Sequence, residues 1–406
     1  MIANRARTTV LSVAVGTFLY SLDTNAVTLA LPLIQKAFHA TIASVSWVLI
    51  SYLLTITATL FLFGRIGDRW GHKKTYNLGL AIFTLASLVC SLSASLTTLI
   101  LSVVVQAVGA SMMMASTNAL IIGSVPEEYR GKFMGASALA VALAACVGPS
   151  LGGLLAASLG WRSIFLLNIP VGLVGFLLVA KNVNPDGPRH EAFHNKTGNI
   201  GSLPKNPAFF FGVSAAFFFY CSQFILVFLA PFYLQTTLGL NPAQAGLMML
   251  SLAISLILVA PISGSISDRL GSRGLSVVGM IFLTLGAALI SSFTSQTALI
   301  LVGVGFAICG IGVGLFQVPN NSAVMGSVSK EHHGLAGAIL ATGRNLGMFA
   351  GEAIAAFFMG SRELSSFPLA CLSAAVSALL AMALVLGRAD TGRRKFVTSG
   401  RTSDPR

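Results

Sequence analysis

Gly64-Arg-Ile-Gly-Asp68-Arg69-Trp-Gly71-His-Lys73-Lys74 returns two hundred residues later as Gly264-Ser-Ile-Ser-Asp268-Arg269-Leu-Gly271-Ser-Arg273. Each copy reads as a short, charged, Gly-rich turn, and each is flanked by long apolar segments, 44–64 and 75–93 around the first, 243–263 and 275–292 around the second. A turn repeated in this setting predicts a duplicated bundle of membrane helices with related halves.

Composition leads to the same place. Of the 406 residues 55% are hydrophobic and 9% charged, and the mean hydropathy is +0.84, far from the mix of a soluble domain. Twelve apolar segments can be counted, from 9–31 to 366–386. Each runs to about 20 residues, enough at about 1.5 Å per residue to cross roughly 30 Å of hydrocarbon. Helices satisfy the backbone in lipid, whereas a barrel needs short alternating strands that the sequence lacks. The expected fold is therefore all-α and polytopic, with twelve transmembrane helices in two pseudo-symmetric six-helix bundles: 1–180 and 207–387, a polar linker at 181–206, and a basic tail at 388–406.

The net charge of +13 does not point to nucleic acid. With both termini on the cytoplasmic side, 21 of the 25 Lys and Arg fall in cytoplasmic segments, while Lys36, Arg162 and Arg362 fall outside and Arg344 lies within a span. This is the positive-inside asymmetry, and it predicts a multi-pass protein of the cell inner (plasma) membrane with both ends cytoplasmic. Residues 1–8 read as a short leader into a retained helix rather than a signal peptide. Cys90, Cys146, Cys221, Cys309 and Cys371 all lie in apolar spans, where cysteine serves as a small hydrophobe. No metal-ligand spacing, phosphate loop or nucleophile motif stands out, so neither an enzyme nor a metal or cofactor site is expected.

The repeated Gly-x-x-x-Asp-Arg-x-Gly turn resembles the signature loop of the major facilitator superfamily, where it follows spans 2 and 8. The resemblance implies that Gly64, Asp68, Arg69, Gly71 and Lys73, with Gly264, Asp268, Arg269 and Gly271, form conformational latches that break as the halves rock. Span 5 reads Ala144-Ala-Cys-Val-Gly148-Pro149-Ser-Leu-Gly152-Gly153. This is similar to the antiporter motif Gly-x-x-x-Gly-Pro-x-x-Gly-Gly, with Ala144 in place of the first Gly, and it implies an exporter. Small residues there let helices approach, and Pro149 removes a backbone hydrogen bond at a plausible pivot.

Leu22-Asp23-Thr24-Asn25 in span 1, Trp161-Arg162 through Asn168 and Pro170 entering span 6, and Arg344-Asn345-Leu-Gly347 in span 11 resemble the fourteen-span drug/proton antiporter family. Two departures stand out. A linker replaces that family's extra pair of spans, giving a twelve-span form, and Val103 occupies the place of a span 4 Arg that the family associates with proton coupling.

Ionisable groups inside the membrane cost on the order of 3 kcal/mol and are functional candidates by default, which selects Asp23, Arg344 and Glu352 for proton coupling. Loss of hydration around Asp23 favours the neutral carboxyl and would let it load and release protons. Arg344 could balance Asp23 or an anionic substrate. Candidates for a substrate cavity are Asn25, Gln106, Asn118, Phe217, Tyr220, Gln223, Gln317 and Asn321, a set of amides and aromatics suited to flexible lipophilic compounds. The expectation is a secondary active transporter, a proton-coupled exporter of hydrophobic or amphiphilic small molecules, acting as a monomer among lipid without nucleic acid. Two alternatives stay open: a proton-independent or differently coupled carrier of one metabolite, and a non-transporting membrane sensor on the same scaffold.

Overall fold

The computed structural model describes residues 2–125, 130–183, 206–329, 332–362 and 366–388. Twelve long helices follow one another through these residues: α1 (Ile2–Ala37), α2 (Ile42–Trp70), α3 (His72–Ser91), α4 (Leu96–Ser124), α5 (Arg130–Leu159), α6 (Arg162–Asn182), α7 (Pro207–Phe232), α8 (Pro242–Leu270), α9 (Ser272–Ser291), α10 (Leu299–Gly326), α11 (His333–Arg362) and α12 (Phe367–Gly387). A π-helical turn, Tyr233–Thr237, extends α7. Most of the linker expected at 181–206, and nearly all of the tail expected at 388–406, lie outside the described residues.

Ten of the twelve are long and apolar enough to cross a membrane by length and composition. The other two are α3 and α11. The first opens with His72, Lys73 and Lys74, and the second carries Arg344, Asn345 and Glu352. In the packing α3 lies against α4 and α6, and α11 lies against α7 of its own half and α2 of the other.

The duplication seen in sequence is reproduced in the packing. In the first half α3 packs on α4, α1 on α5, α2 on α4 and α3 on α6; in the second the same partners recur as α9 on α10, α7 on α11, α8 on α10 and α9 on α12. The tightest of these crossings is built the same way twice. A Cβ added to Gly79 would lie 2.7 Å from the Gly109 carbonyl oxygen, and one added to Gly279 would lie 2.8 Å from that of Gly312. Backbone meets backbone at both places, so no side chain fits between the helices.

The repeated motif is more helical than the sequence suggests. Residues 64–70 and 264–270 continue α2 and α8, and each corner is made by a single residue, Gly71 with φ 99° and Gly271 with φ 90°. Positive φ costs glycine nothing and other residues a good deal, and one such residue suffices to turn the chain. The N–H of each glycine closes its helix, onto Gly67 at 2.8 Å and Ser267 at 2.9 Å.

Contacts between halves gather at the side away from these corners. A Cβ at Gly153 of α5 would meet the Pro242 carbonyl oxygen of α8, one at Gly246 of α8 would meet that of Pro149, and one at Gly360 of α11 would lie 2.9 Å from Ala43 of α2. Gln235 Nε2 donates across the same seam to the Leu29 carbonyl at 2.8 Å. Towards the corners the same helices lose their partners: Val45, Val48, Leu49, Tyr52 and Leu53 of α2 are buried, whereas Phe61 and Leu62 are more than half exposed. The two halves are sealed on the far side and separate on the corner side.

Candidate translocation site

Asp23 lies near the middle of α1 and is 3% exposed. Its carboxylate accepts a hydrogen bond of 2.5 Å from Asn168 Nδ2 of α6. The same amide reaches Ser87 Oγ of α3 at 3.3 Å, and Gln106 Nε2 of α4 donates to that hydroxyl at 2.8 Å. The Gln106 amide also stands beside the carboxylate. Four helices of the first half thus converge on one acid through amides and a hydroxyl. Among the described residues no cation is seen beside this carboxylate.

Two narrow apolar spaces flank Asp23. One is bounded by Leu22, Ala26, Gly152, Leu155, Ile164 and Asn168, the other by Val27, Leu49, Tyr52, Val103, Gln106 and Phe165. Val103 therefore faces the acid across a small gap. The Tyr52 hydroxyl is buried without a partner, close to Asp23 and Thr24 and within electrostatic reach of Tyr20.

On α7 and α11 of the second half several polar atoms are unmet. Tyr220 Oη, Gln223 Oε1, Arg344 Nε, Asn345 Nδ2 and Glu352 Oε2 are shut off from solvent without a hydrogen-bond partner. Tyr220 of α7 stands beside Arg344 of α11 and Gln317 of α10, and Tyr20 of α1 lies within electrostatic reach of Arg344. Glu352 is 2% exposed. Arg344 is only half-buried, and so are Phe217, Gln317 and Asn321.

Not every candidate joins these two groups. Gln106 belongs to the Asp23 network rather than to an open cavity. Asn118 is exposed. Asn25 donates to the Ser21 carbonyl of its own helix at 2.7 Å, and its Cβ fills the space against Gly148. The span 5 motif works on two fronts, Gly148 and Gly152 against α1, Pro149 and Gly153 against α8 of the other half. At the first corner Asp68 pairs with His72 at 3.1 Å, and Lys73 Nζ caps α6 through the Ala180 carbonyl at 2.9 Å. At the second, Arg273 holds the Leu386 carbonyl at the end of α12. Cations at helix C-termini complement the exposed carbonyls there. The Asp268 side chain lies outside the described residues. These three contacts, Asp68 with His72, Lys73 with Ala180 and Arg273 with Leu386, each lie within one half.

Residues 13–352 match the family described as Major Facilitator Superfamily. The chain belongs to the major facilitator superfamily. Its relatives within that superfamily are transporters rather than enzymes. It is 31% identical to the riboflavin transporter RibZ of Clostridioides difficile strain 630, over 85% of this chain and 86% of that one. It is 26% identical to the tetracenomycin C resistance and export protein of Streptomyces glaucescens, covering 89% of this chain and 77% of that one. Among solved structures, a D-xylose-proton symporter superposes with a TM-score of 0.78 at 15% identity, covering 93% of this chain and 96% of that one, which bears on the fold.

Sequence reading missed Ser87 and Tyr52. A lone Ser or Tyr in an apolar span is ordinary, and nothing in the pattern marks either one. Asn345 lies seven residues before Glu352, which puts both on one stripe of α11.

Proposed function

We propose that this transporter exports hydrophobic or amphiphilic small molecules in exchange for protons, and that Asp23 carries the proton. The observation that supports it is the carboxyl of Asp23, buried at mid-span and held by the side-chain amides of Asn168 and Gln106 instead of a cation. Such a group can gain or lose a proton without breaking an ion pair, whereas an isolated charge in that position would be costly. The drug-resistance relatives and the Gly148-Pro149-Ser-Leu-Gly152-Gly153 stretch favour export.

In the arrangement sealed at the far side, the corner side, taken as cytoplasmic from the charge asymmetry, admits substrate between Tyr20, Phe217, Tyr220 and Gln317. Rocking then parts α5 from α8 and α2 from α11 at the far seam and brings the corners at Asp68 and Asp268 together as latches. Release outside is followed by protonation of Asp23 and return. A potential of about 100 mV contributes about 2.3 kcal/mol per proton charge, enough for tens-fold accumulation.

Asp23→Asn separates coupling from movement. In proteoliposomes the variant keeps substrate exchange at equilibrium but loses accumulation driven by a pH gradient. Undiminished gradient-driven accumulation by the variant would contradict the role of Asp23. A second reading, a differently coupled carrier of one metabolite, is favoured by Val103 facing Asp23 where related antiporters place an Arg, and by the riboflavin transporter among the relatives.

A further inference from the structure

Among the described residues Arg344, within α11, has no acid beside it. Two carboxyl groups share the membrane interior with it, and neither serves as its counter-ion. Asp23 is bound to Asn168, and Glu352 lies eight residues further along the helix, about 12 Å in rise. A guanidinium in this position costs on the order of 3 kcal/mol unless it is hydrated or paired. The side chain is half-buried at the interface between halves, and its Nε has no acceptor.

The neighbours of Arg344 add donors rather than acids. Tyr220, 5% exposed, has an unpartnered hydroxyl beside Arg344 and Gln317. Asn345 Nδ2, the next residue of the helix, is likewise unpartnered, and Tyr20 approaches from the other half. A planar guanidinium fork with a phenolic O–H alongside is matched by an oxyanion with two lone-pair directions. On α7, Phe217 lies with its backbone against Gly347 of α11 and carries a half-buried apolar ring three residues before Tyr220.

We infer that Arg344, with Tyr220 and Tyr20, forms the recognition site for an anionic oxygen group, a carboxylate or phenolate, on an otherwise lipophilic substrate. The inference rests on the exporter reading and gives its substrate class: acidic amphiphiles are selected, and permanent cations are repelled. Because the site draws on α1 from one half and on α7 and α11 from the other, a bound anion also ties the halves together at mid-membrane.

The test is equilibrium binding of three probes that share one ring system, pyrenebutyrate, its methyl ester and pyrenylbutyl trimethylammonium, to the purified full-length protein. Wild type binds the acid about tenfold more tightly than the cation, the scale of one charge-assisted hydrogen-bonded contact. Arg344→Gln erases that preference and leaves the ester within about twofold, Arg344→Lys keeps part of it, and Tyr220→Phe weakens the acid alone. Equal affinities in wild type, or a parallel loss of all three probes in Arg344→Gln, would overturn the inference. Acid-selective binding without counterflow in proteoliposomes would uphold the site and remove the transport reading, and counterflow that prefers the cation would do the reverse.

Discussion

Arg388, the residue that ends α12, is 4% exposed and joins three helices: Nη1 donates to Asn320 Oδ1 of α10 at 3.1 Å, Nη2 donates to Ser272 Oγ of α9 at 2.9 Å, and Asn320 in turn donates to the Gly212 carbonyl of α7 at 3.1 Å. Removing a buried charged donor leaves its acceptors unmet, so Arg388→Ala lowers stability by about 2–3 kcal/mol, read as a depressed unfolding midpoint in detergent. An unchanged midpoint would show that the cluster contributes nothing. From sequence Arg388 is one of six basic residues in a tail, and only the packing separates it from the others. Asp23 was legible because a carboxylate inside an apolar run stands out at once. Its partners were not, because serines and glutamines in membrane helices are too common to carry a signal and their alignment depends on how four helices meet.

Among the elements, α2 and α8 make opposite demands of their glycines. Gly64 has open space where a Cβ would go, while a Cβ on Gly246 would collide with the Pro149 carbonyl across the far seam. Gly246→Leu therefore wedges α5 from α8 and opens the far side, whereas Gly64→Leu is tolerated in the present arrangement and obstructs closure at the corners. One assay reads both: maleimide labelling of a cysteine placed at Ser150, in a background without native cysteines, rises in Gly246→Leu and falls in Gly64→Leu. Labelling that moves in the same direction in both variants would refute the seam. Paired glycines at the other crossings act on assembly instead. Gly279→Val, with a carbonyl 2.8 Å from its Cβ, prevents α9 and α10 from meeting and sharply lowers the yield of folded protein. The corners were legible as glycine-rich turns, although the helices run further into them than their charges suggest. Arg65 lies over the Phe61 ring at 4.5 Å, so charge and helix coexist there. Crossings such as Gly79 with Gly109 were not legible, since 41 glycines are spread through the chain and sequence does not say which of them meet.

For the whole molecule, the twice-written motif sufficed to foretell two related halves, and the same helix partners recur in each. The side that is sealed could not be foretold. One sequence must support both arrangements with nearly equal free energy, so no residue pattern encodes which of them is occupied. Alternating access requires the far seam, with Gln235 bonded to Leu29 and α5 against α8, to be strong enough to close and weak enough to part. A ligand shifts that balance only by binding one arrangement better than the other. The central claim is that substrate leaves as protons enter. It is tested most directly in proteoliposomes holding the wild-type protein, with substrate flux and internal pH recorded together under an imposed pH gradient. The account predicts substrate movement matched by proton movement in the opposite direction, with accumulation that collapses when the gradient is dissipated. Substrate movement that proceeds at the same rate and extent whatever the gradient, with internal pH unchanged, would contradict it.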